Sequence, residues 1–216
     1  MRRTAIVNQI RGLLLERGIT LQKGRSHLDA ALPQILENAD LKLSSALRTL
    51  LAQLKLELNQ MAMRIGEADA VLNKTAHENA DCRRLVAIPG LGPVTATALI
   101  AAIGNGAAFR NGRGFAAWMG IVPGQYSTGG KQKLLGISKR GNSYLRRLFI
   151  QGACAVLQQS TKQTPGLRAW LERLLARTHH NIVAVALANK LARMAWAVLA
   201  KNQPYRPPVL TSPAAA

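Results

Sequence analysis

The chain is 216 residues long, 48% hydrophobic and 4% aromatic, and carries a formal net charge of +19. That length suffices for one core, or for a compact domain beside an extended helical segment, and the apolar fraction is that of a folded protein. Up to Asp81 there are 11 Lys+Arg against 9 Asp+Glu; from Cys82 onward there are 18 against a single acid, Glu172. A field of that sign repels cations and attracts polyanions, so the second part of the chain is expected to meet nucleic acid. A membrane is excluded as partner, because no basic amphipathic helix carries a lipid-seeking aromatic face. No apolar run reaches membrane-spanning length and the N-terminus lacks a signal-peptide core, which reads as a soluble, intracellular protein. Cys82 and Cys154 have no metal-ligand spacing and read as small core residues in a reducing compartment.

In chain order, Arg2 to Arg17 places Ile6, Ile10, Leu13 and Leu14 at helical spacing, and Gly18 is a natural stop. Leu28 to Leu36 predicts a short helix, interrupted or started at Pro33. From Asp40 to about Lys74 only Gly66 interrupts a helical pattern, and Leu43, Leu47, Leu50, Leu54, Leu58, Met61, Ile65, Ala68 and Leu72 form a near-heptad seam. Two arrangements fit that seam equally: an antiparallel hairpin with the first helix, and a coiled coil between two chains. A polar hinge from His77 to Asp81 coincides with the change in charge. It predicts a helical arm over 1–80, a compact helical domain over 81–202 and a Pro-rich disordered tail over 203–216. The fold class expected is mainly α.

Leu85 to Gly104 follows a helix-hairpin-helix pattern: Pro89, the turn Gly90, Leu91 and Gly92, then Pro93 and an Ala-rich helix through Thr95. Glycines there let backbone amides converge on a phosphate oxygen, a contact that positions nucleic acid without reading bases. Phe115, Trp118 and Met119 are expected in the core. The glycine density of Ile121 to Ile137 predicts an exposed loop or short hairpin. It carries Ser127, Thr128, Gly129, Gly130, Lys131 and Lys133, followed by Lys139 and Arg140. Asn142 is the expected N-cap of a helix from Ser143 to about Gln159, whose early Arg146 and Arg147 fall near the same loop. Leu167 to Thr178 predicts a basic amphipathic helix, and Asn181 to Lys201 an apolar, largely buried one.

Metal-assisted phosphoryl transfer needs two or more carboxylates around magnesium, and no such set converges in this sequence. Adjacent His179 and His180 diverge on a helix and read as a helix-terminal pair rather than ligands. Hydroxyl chemistry remains open at Ser127, with Thr128 and Ser138 as competitors. The surrounding cations would hold a phosphate, whether the hydroxyl attacks it or only contacts it.

The strings IPGLGPVTATAL and FAAWMGIVPGQYSTGGKQKLLGISKRGNSYLRRLFIQGA resemble the C-terminal transposase domain of insertion-sequence family one-ten, in its eleven-eleven branch. The resemblance, which covers nearly the whole chain except the Pro-rich tail, implies a nucleophilic serine in this domain. By motif it falls at Ser127 in YSTGG, with Thr128 as the neighbouring alternative. It also implies a structured guide RNA, and an N-terminal RNase H-like domain whose four acids bind magnesium. Those acids are absent from this sequence, so a truncated or split transposase is expected, binding DNA without transposing alone and holding no cofactor itself. Self-assembly through Leu43 to Leu72 and a place at the bacterial nucleoid follow from the same resemblance. A non-catalytic nucleic-acid-binding remnant regulating the parent element, and a ribosome-associated basic protein, are the alternatives.

Overall fold

The computed structural model describes residues 2–207; of the tail expected to be disordered, residues 208–216 lie outside the described residues. The chain divides into two compact units, Met1–Ala70 and Val71–Ala216. Among the described residues helices dominate, and the single sheet has two strands. The chain is mainly α, as its composition predicts.

The first unit holds α1 (Arg2–Leu15), α2 (Arg25–Glu37) and the start of α3 (Ser45–Glu78). Ile6, Ile10 and Leu14 of α1 meet Leu28, Leu32 and Ile35 of α2 and Leu47, Leu51, Leu54 and Leu58 of α3 in one core. Each fully buried leucine contributes about 2 kcal/mol relative to exposure. The buried stripe of α3 therefore passes through Leu51, and Leu50 of the predicted seam lies outside it, 38% exposed. Two helices packed on α3 demand a wider apolar face than a two-stranded seam, and Leu51 supplies it. Beyond Leu58 the stripe continues through half-buried Met61 to Ile65 and Ala68, which are exposed.

Pro33 neither starts nor interrupts α2 but lies inside it. A proline there leaves the carbonyl four residues back without its helical donor. That carbonyl is Asp29's, and Lys55 Nζ donates to it at 3.2 Å. The carbonyls at the end of α2 find a donor too. Arg48 donates from Nη1 to Ile35 and Leu36 and from Nη2 to Asn38 and Leu41. Ion pairs Arg2–Glu57 and Arg25–Asp29 complete this balanced-charge unit.

The second unit contains α4 (Ala80–Val86), α5 (Pro93–Ile103), α6 (Gly112–Trp118), β1 (Pro123–Thr128), β2 (Lys131–Ile137), α7 (Ser143–Gln158), α8 (Pro165–Leu175) and α9 (His180–Ala200). Asn79 caps α4, and its side chain accepts from the amides of Asp81 and Cys82, so a helix break falls within the polar segment His77 to Asp81. Central to the core is α9, which buries Val183, Leu187, Leu191, Ala195 and Leu199 among others. By length and composition α9 could cross a membrane, contrary to the expectation that no run is long enough. Its apolar stripe is instead occupied by α4, α6, α7 and α8, with Lys190 and Arg193 on other faces. Phe115 and Met119 are buried as expected, whereas Trp118 sits at the rim, 36% exposed, near Phe109 and Phe115. Cys82 is buried and Cys154 half-buried, both as free thiols.

Two close approaches fix the second unit's geometry. The turn at Gly90, with φ of 84°, rests directly on α7 at Gly152; a Cβ on Gly90 would lie 2.7 Å from the Gly152 carbonyl oxygen. Similarly, the segment before α7 lies backbone-to-backbone on the end of α6. A Cβ on Gly141 would overlap the Trp118 carbonyl, and one on Gly120 the Arg140 carbonyl. Gly152→Ala is expected to destabilise the fold by roughly 2 kcal/mol or more, because neither backbone can yield. Exposed Gly66 within α3 has no atom near its Cβ position, so Gly66→Ala should instead stabilise by about 1 kcal/mol. Urea unfolding of the two variants, read for opposite shifts in midpoint, checks both.

Candidate nucleic-acid interface

The glycine-rich stretch between α6 and α7 folds as an antiparallel hairpin. Its two-residue turn is Gly129–Gly130, with φ of 57° and 75°. Positive φ at both central residues matches the right-handed twist of the strands, and glycine adopts it without strain. An isolated two-stranded ribbon is marginal in water, so its base matters. Here Ser138 N donates to Val122 O at 2.9 Å and Lys139 N to Gly120 O at 3.1 Å. Asn189 of α9 adds a bond from Nδ2 to Ile121 O at 3.2 Å.

Arg146 secures the same junction, with Nη1 donating to Met119 O and Arg140 O, both at 3.0 Å. Its guanidinium is therefore partly committed to structure. Asn142 is the N-cap of α7, accepting from Leu145 N at 2.9 Å, which engages its side-chain oxygen. Lys131, Lys133, Lys139, Arg140 and Arg147 are exposed, and among the described residues none of them pairs with a carboxylate.

Ser127 is exposed on β1, and Gln125 Nε2 donates to its Oγ at 2.7 Å. Pairing sets Ser127 opposite Gln132, Tyr126 opposite Lys133, and Thr128 opposite Lys131. Side chains alternate across a strand, so Ser127 shares its face with Gln125, while Thr128 shares the other face with Tyr126, Lys131 and Lys133. The two hydroxyls thus belong to opposite faces of one ribbon. Beside the base of the hairpin a cleft of about 530 Å³ is lined by Gln125, Ser138, Lys139 and Arg140. Gln125 therefore links the Ser127 hydroxyl to a cationic hollow. Lys139 adopts φ of 56°, which turns the chain sharply under the hairpin.

The Gly90–Gly92 turn joins α4 to α5. Leu91 is buried and Thr95 is 6% exposed, so what they can offer a ligand is main chain. Gly92 is the N-cap of α5 with no side-chain bond, and Pro93 follows, leaving the amides of Val94 and Thr95 without a capping side chain. Nothing lies within 4 Å of a Cβ placed on Gly92, whereas Gly90 is packed on α7. The two glycines thus do different things: one closes a contact, the other keeps a helix end open.

His179 caps α9, its Nδ1 accepting from Asn181 N at 3.2 Å, as a helix-terminal reading predicts. Glu172 is exposed and lies 3.3 Å from Arg168. Among the described residues no three His, Cys, Asp or Glu side chains gather as metal ligands. The donor set of these residues does not fit a magnesium site.

Sequence reading missed Gln125, whose bond to Ser127 depends on strand pleating that glycine content does not reveal. It also missed Tyr126 and Tyr144, 65% and 53% exposed, which flank the cationic residues. An unburied tyrosine in a basic region is a signal that spacing alone leaves unread.

Residues 82–167, which include both turns and the hairpin, match the transposase family IS116/IS110/IS902. A probable family 20 transposase of Pseudomonas aeruginosa is 44% identical over 95% of this chain and 61% of its own length. The transposase for insertion sequence element IS1111A of Coxiella burnetii is 41% identical over 94% of this chain and 56% of its own length. A pilin gene-inverting protein of Moraxella bovis is 29% identical over 62% of this chain and 42% of its own length. The chain thus spans somewhat over half the length of the transposases it matches. Residues 82–167 therefore carry the domain of the IS116/IS110/IS902 transposase family, and most of the chain is similar to insertion-sequence transposases.

Proposed function

We propose that this chain is the DNA-binding C-terminal part of a transposase, in which the hairpin presents Ser127 to a scissile phosphate. The observation that carries the reading is an exposed hydroxyl bonded to Gln125, which itself lines a cleft with Lys139 and Arg140. Cations held beside a phosphodiester stabilise the charge that develops as it is attacked. The Ser127 oxygen forms a phosphoester, the strand's P–O bond breaks, and the departing oxygen takes up the proton the serine releases. The bond to Gln125 fixes the hydroxyl's position. Thr128, on the lysine-bearing face, contacts the backbone beside it.

The open N-terminus of α5 at Gly92 binds a second phosphate through the amides of Val94 and Thr95. Tyr126 and Tyr144 offer stacking surfaces to bases. Magnesium belongs to a domain that carries carboxylates, supplied within a longer chain or by another one, and the guide RNA engages the assembled protein. Self-assembly uses the α3 stripe past Leu58, where Ile65 and Ala68 stay exposed.

Ser127→Ala separates this reading from that of a non-catalytic regulator. In a system complemented with the acid-bearing domain, it is expected to abolish recombination while DNA affinity changes less than about threefold. Recombination that survives in Ser127→Ala and is lost in Thr128→Ala would move the nucleophile to the neighbouring hydroxyl; survival in both would sink the serine mechanism. Gly92→Ala should leave stability within about 0.5 kcal/mol, because its φ of −89° and open surroundings accept a methyl group. The same variant should weaken duplex binding measured by fluorescence anisotropy; unchanged binding would remove the α5 terminus from the interface.

A further inference from the structure

A second cationic surface lies at the other end of α6 from the hairpin. The beginning of α6 and the second half of α9 enclose a cleft of about 540 Å³, lined by Arg113, Lys190, Arg193, Trp196 and Lys201. A smaller hollow of about 210 Å³ shares Lys201 with it and continues to Arg206. No carboxylate lines either one.

The cleft is a consequence of close helix packing. Gly112 is buried against α9, and a Cβ there would lie 3.1 Å from the Cα of Arg193. With no side chain at Gly112 the floor stays low, and the long side chains of Arg113 and Arg193 form the walls. Several arginines elsewhere are tied down: Arg48 and Arg11 donate to carbonyls, and Arg84 is paired with Asp81. Among the described residues Arg113, Arg193, Lys201 and Arg206 make no such bond, and all are exposed. Lys190 rests over the ring of Trp170, 4.8 Å from its centroid. Burial, then Arg193 and Arg173, push its ammonium below the usual lysine range.

We propose that the α6–α9 cleft is a second binding site for the phosphate backbone of nucleic acid, separate from the hairpin. This rests on the nucleic-acid-binding reading of the chain. From Lys190 to Lys201 the cations follow α9 for roughly 16 Å. That is several times the spacing of charges along one strand of duplex DNA and longer than a single phosphate group needs. The cleft is open, its cations repeat along the track, no carboxylate lines it, and the side-chain oxygen of Asn111 at its edge is engaged in capping α6. It therefore fits a repeating polyanion held without regard to sequence.

Lysine acetylation mapped by mass spectrometry on the full chain tests this with a mixed-sequence duplex of about 20 base pairs, long enough to cover either surface. Duplex at low salt is expected to slow acetylation of Lys201 several-fold, and high salt to restore it. In the variant Arg113→Gln with Arg193→Gln, Lys201 should lose this protection while Lys139 keeps its own. Both arginines are exposed, and an unchanged thermal midpoint shows that the fold is retained. Protection of Lys139 with none at Lys201 would overturn the second site and leave the hairpin reading standing. Protection of neither lysine would overturn both. Lys201 shielded by phosphatidylserine vesicles and not by duplex would assign the cleft to a lipid surface and end the proposal.

Discussion

Backbone against backbone is the contact on which the second unit depends. At Gly90 and Gly152 a turn touches a helix with no side chain between them, and at Gly120 and Gly141 the root of the hairpin does the same against α6. Such contacts exclude water from carbonyl oxygens that side chains would otherwise hold apart. They are also intolerant: a single methyl group meets an atom that cannot rotate away. The consequence is positional. A helix end and a hairpin, each weakly stable alone, become fixed to a core built around α9.

Fixing these pieces is what makes a large positive charge tolerable. Eighteen Lys+Arg against one acid beyond Asp81 would push a loosely packed domain apart. Here the domain buries Phe115, Phe149 and a run of leucines and alanines along α9, so apolar burial opposes the repulsion. Some of the cations are also placed to stabilise the fold. Arg146 bridges two carbonyls at the hairpin root, and Arg84 pairs with Asp81. Others, among them Lys139 and Arg140 at the hairpin root and Arg113 and Arg193 at the α6–α9 cleft, project without a carboxylate partner, and a bound polyanion would relieve their mutual repulsion.

Much of this was legible in the sequence, for reasons that can be named. Asn142 before a helical stripe announced the start of α7, because a side-chain acceptor at that place satisfies an amide the helix cannot. The glycine cluster between Ile121 and Ile137 announced an exposed turn structure, since few other residues adopt its backbone angles. Less legible was what spacing cannot encode. Leu50 and Leu51 are both apolar, and only the arrival of two partner helices decides which is buried. Pro33 forbids a hydrogen bond, but a distant Lys55 supplies the missing donor, so the helix passes through. Two glycines in one Gly-Leu-Gly turn looked equivalent, yet Gly90 is closed against α7 and Gly92 faces open space.

The hairpin shows the same limit at the level of chemistry. A string of Ser, Thr, Gly and Lys places every cation near every hydroxyl in sequence, but a strand divides them. Register gives Thr128 the company of Lys131 and Lys133, and gives Ser127 the company of Gln125. A serine beside ammonium groups would have its phosphate gripped from the same side on which it must attack. On the opposite face its neighbour is an amide that holds it still, while the nearest cationic hollow lies at the hairpin's root under Lys139 and Arg140. On the proposed reading, the lysines that would grip a phosphate and the hydroxyl that would attack it fall on different faces of one ribbon.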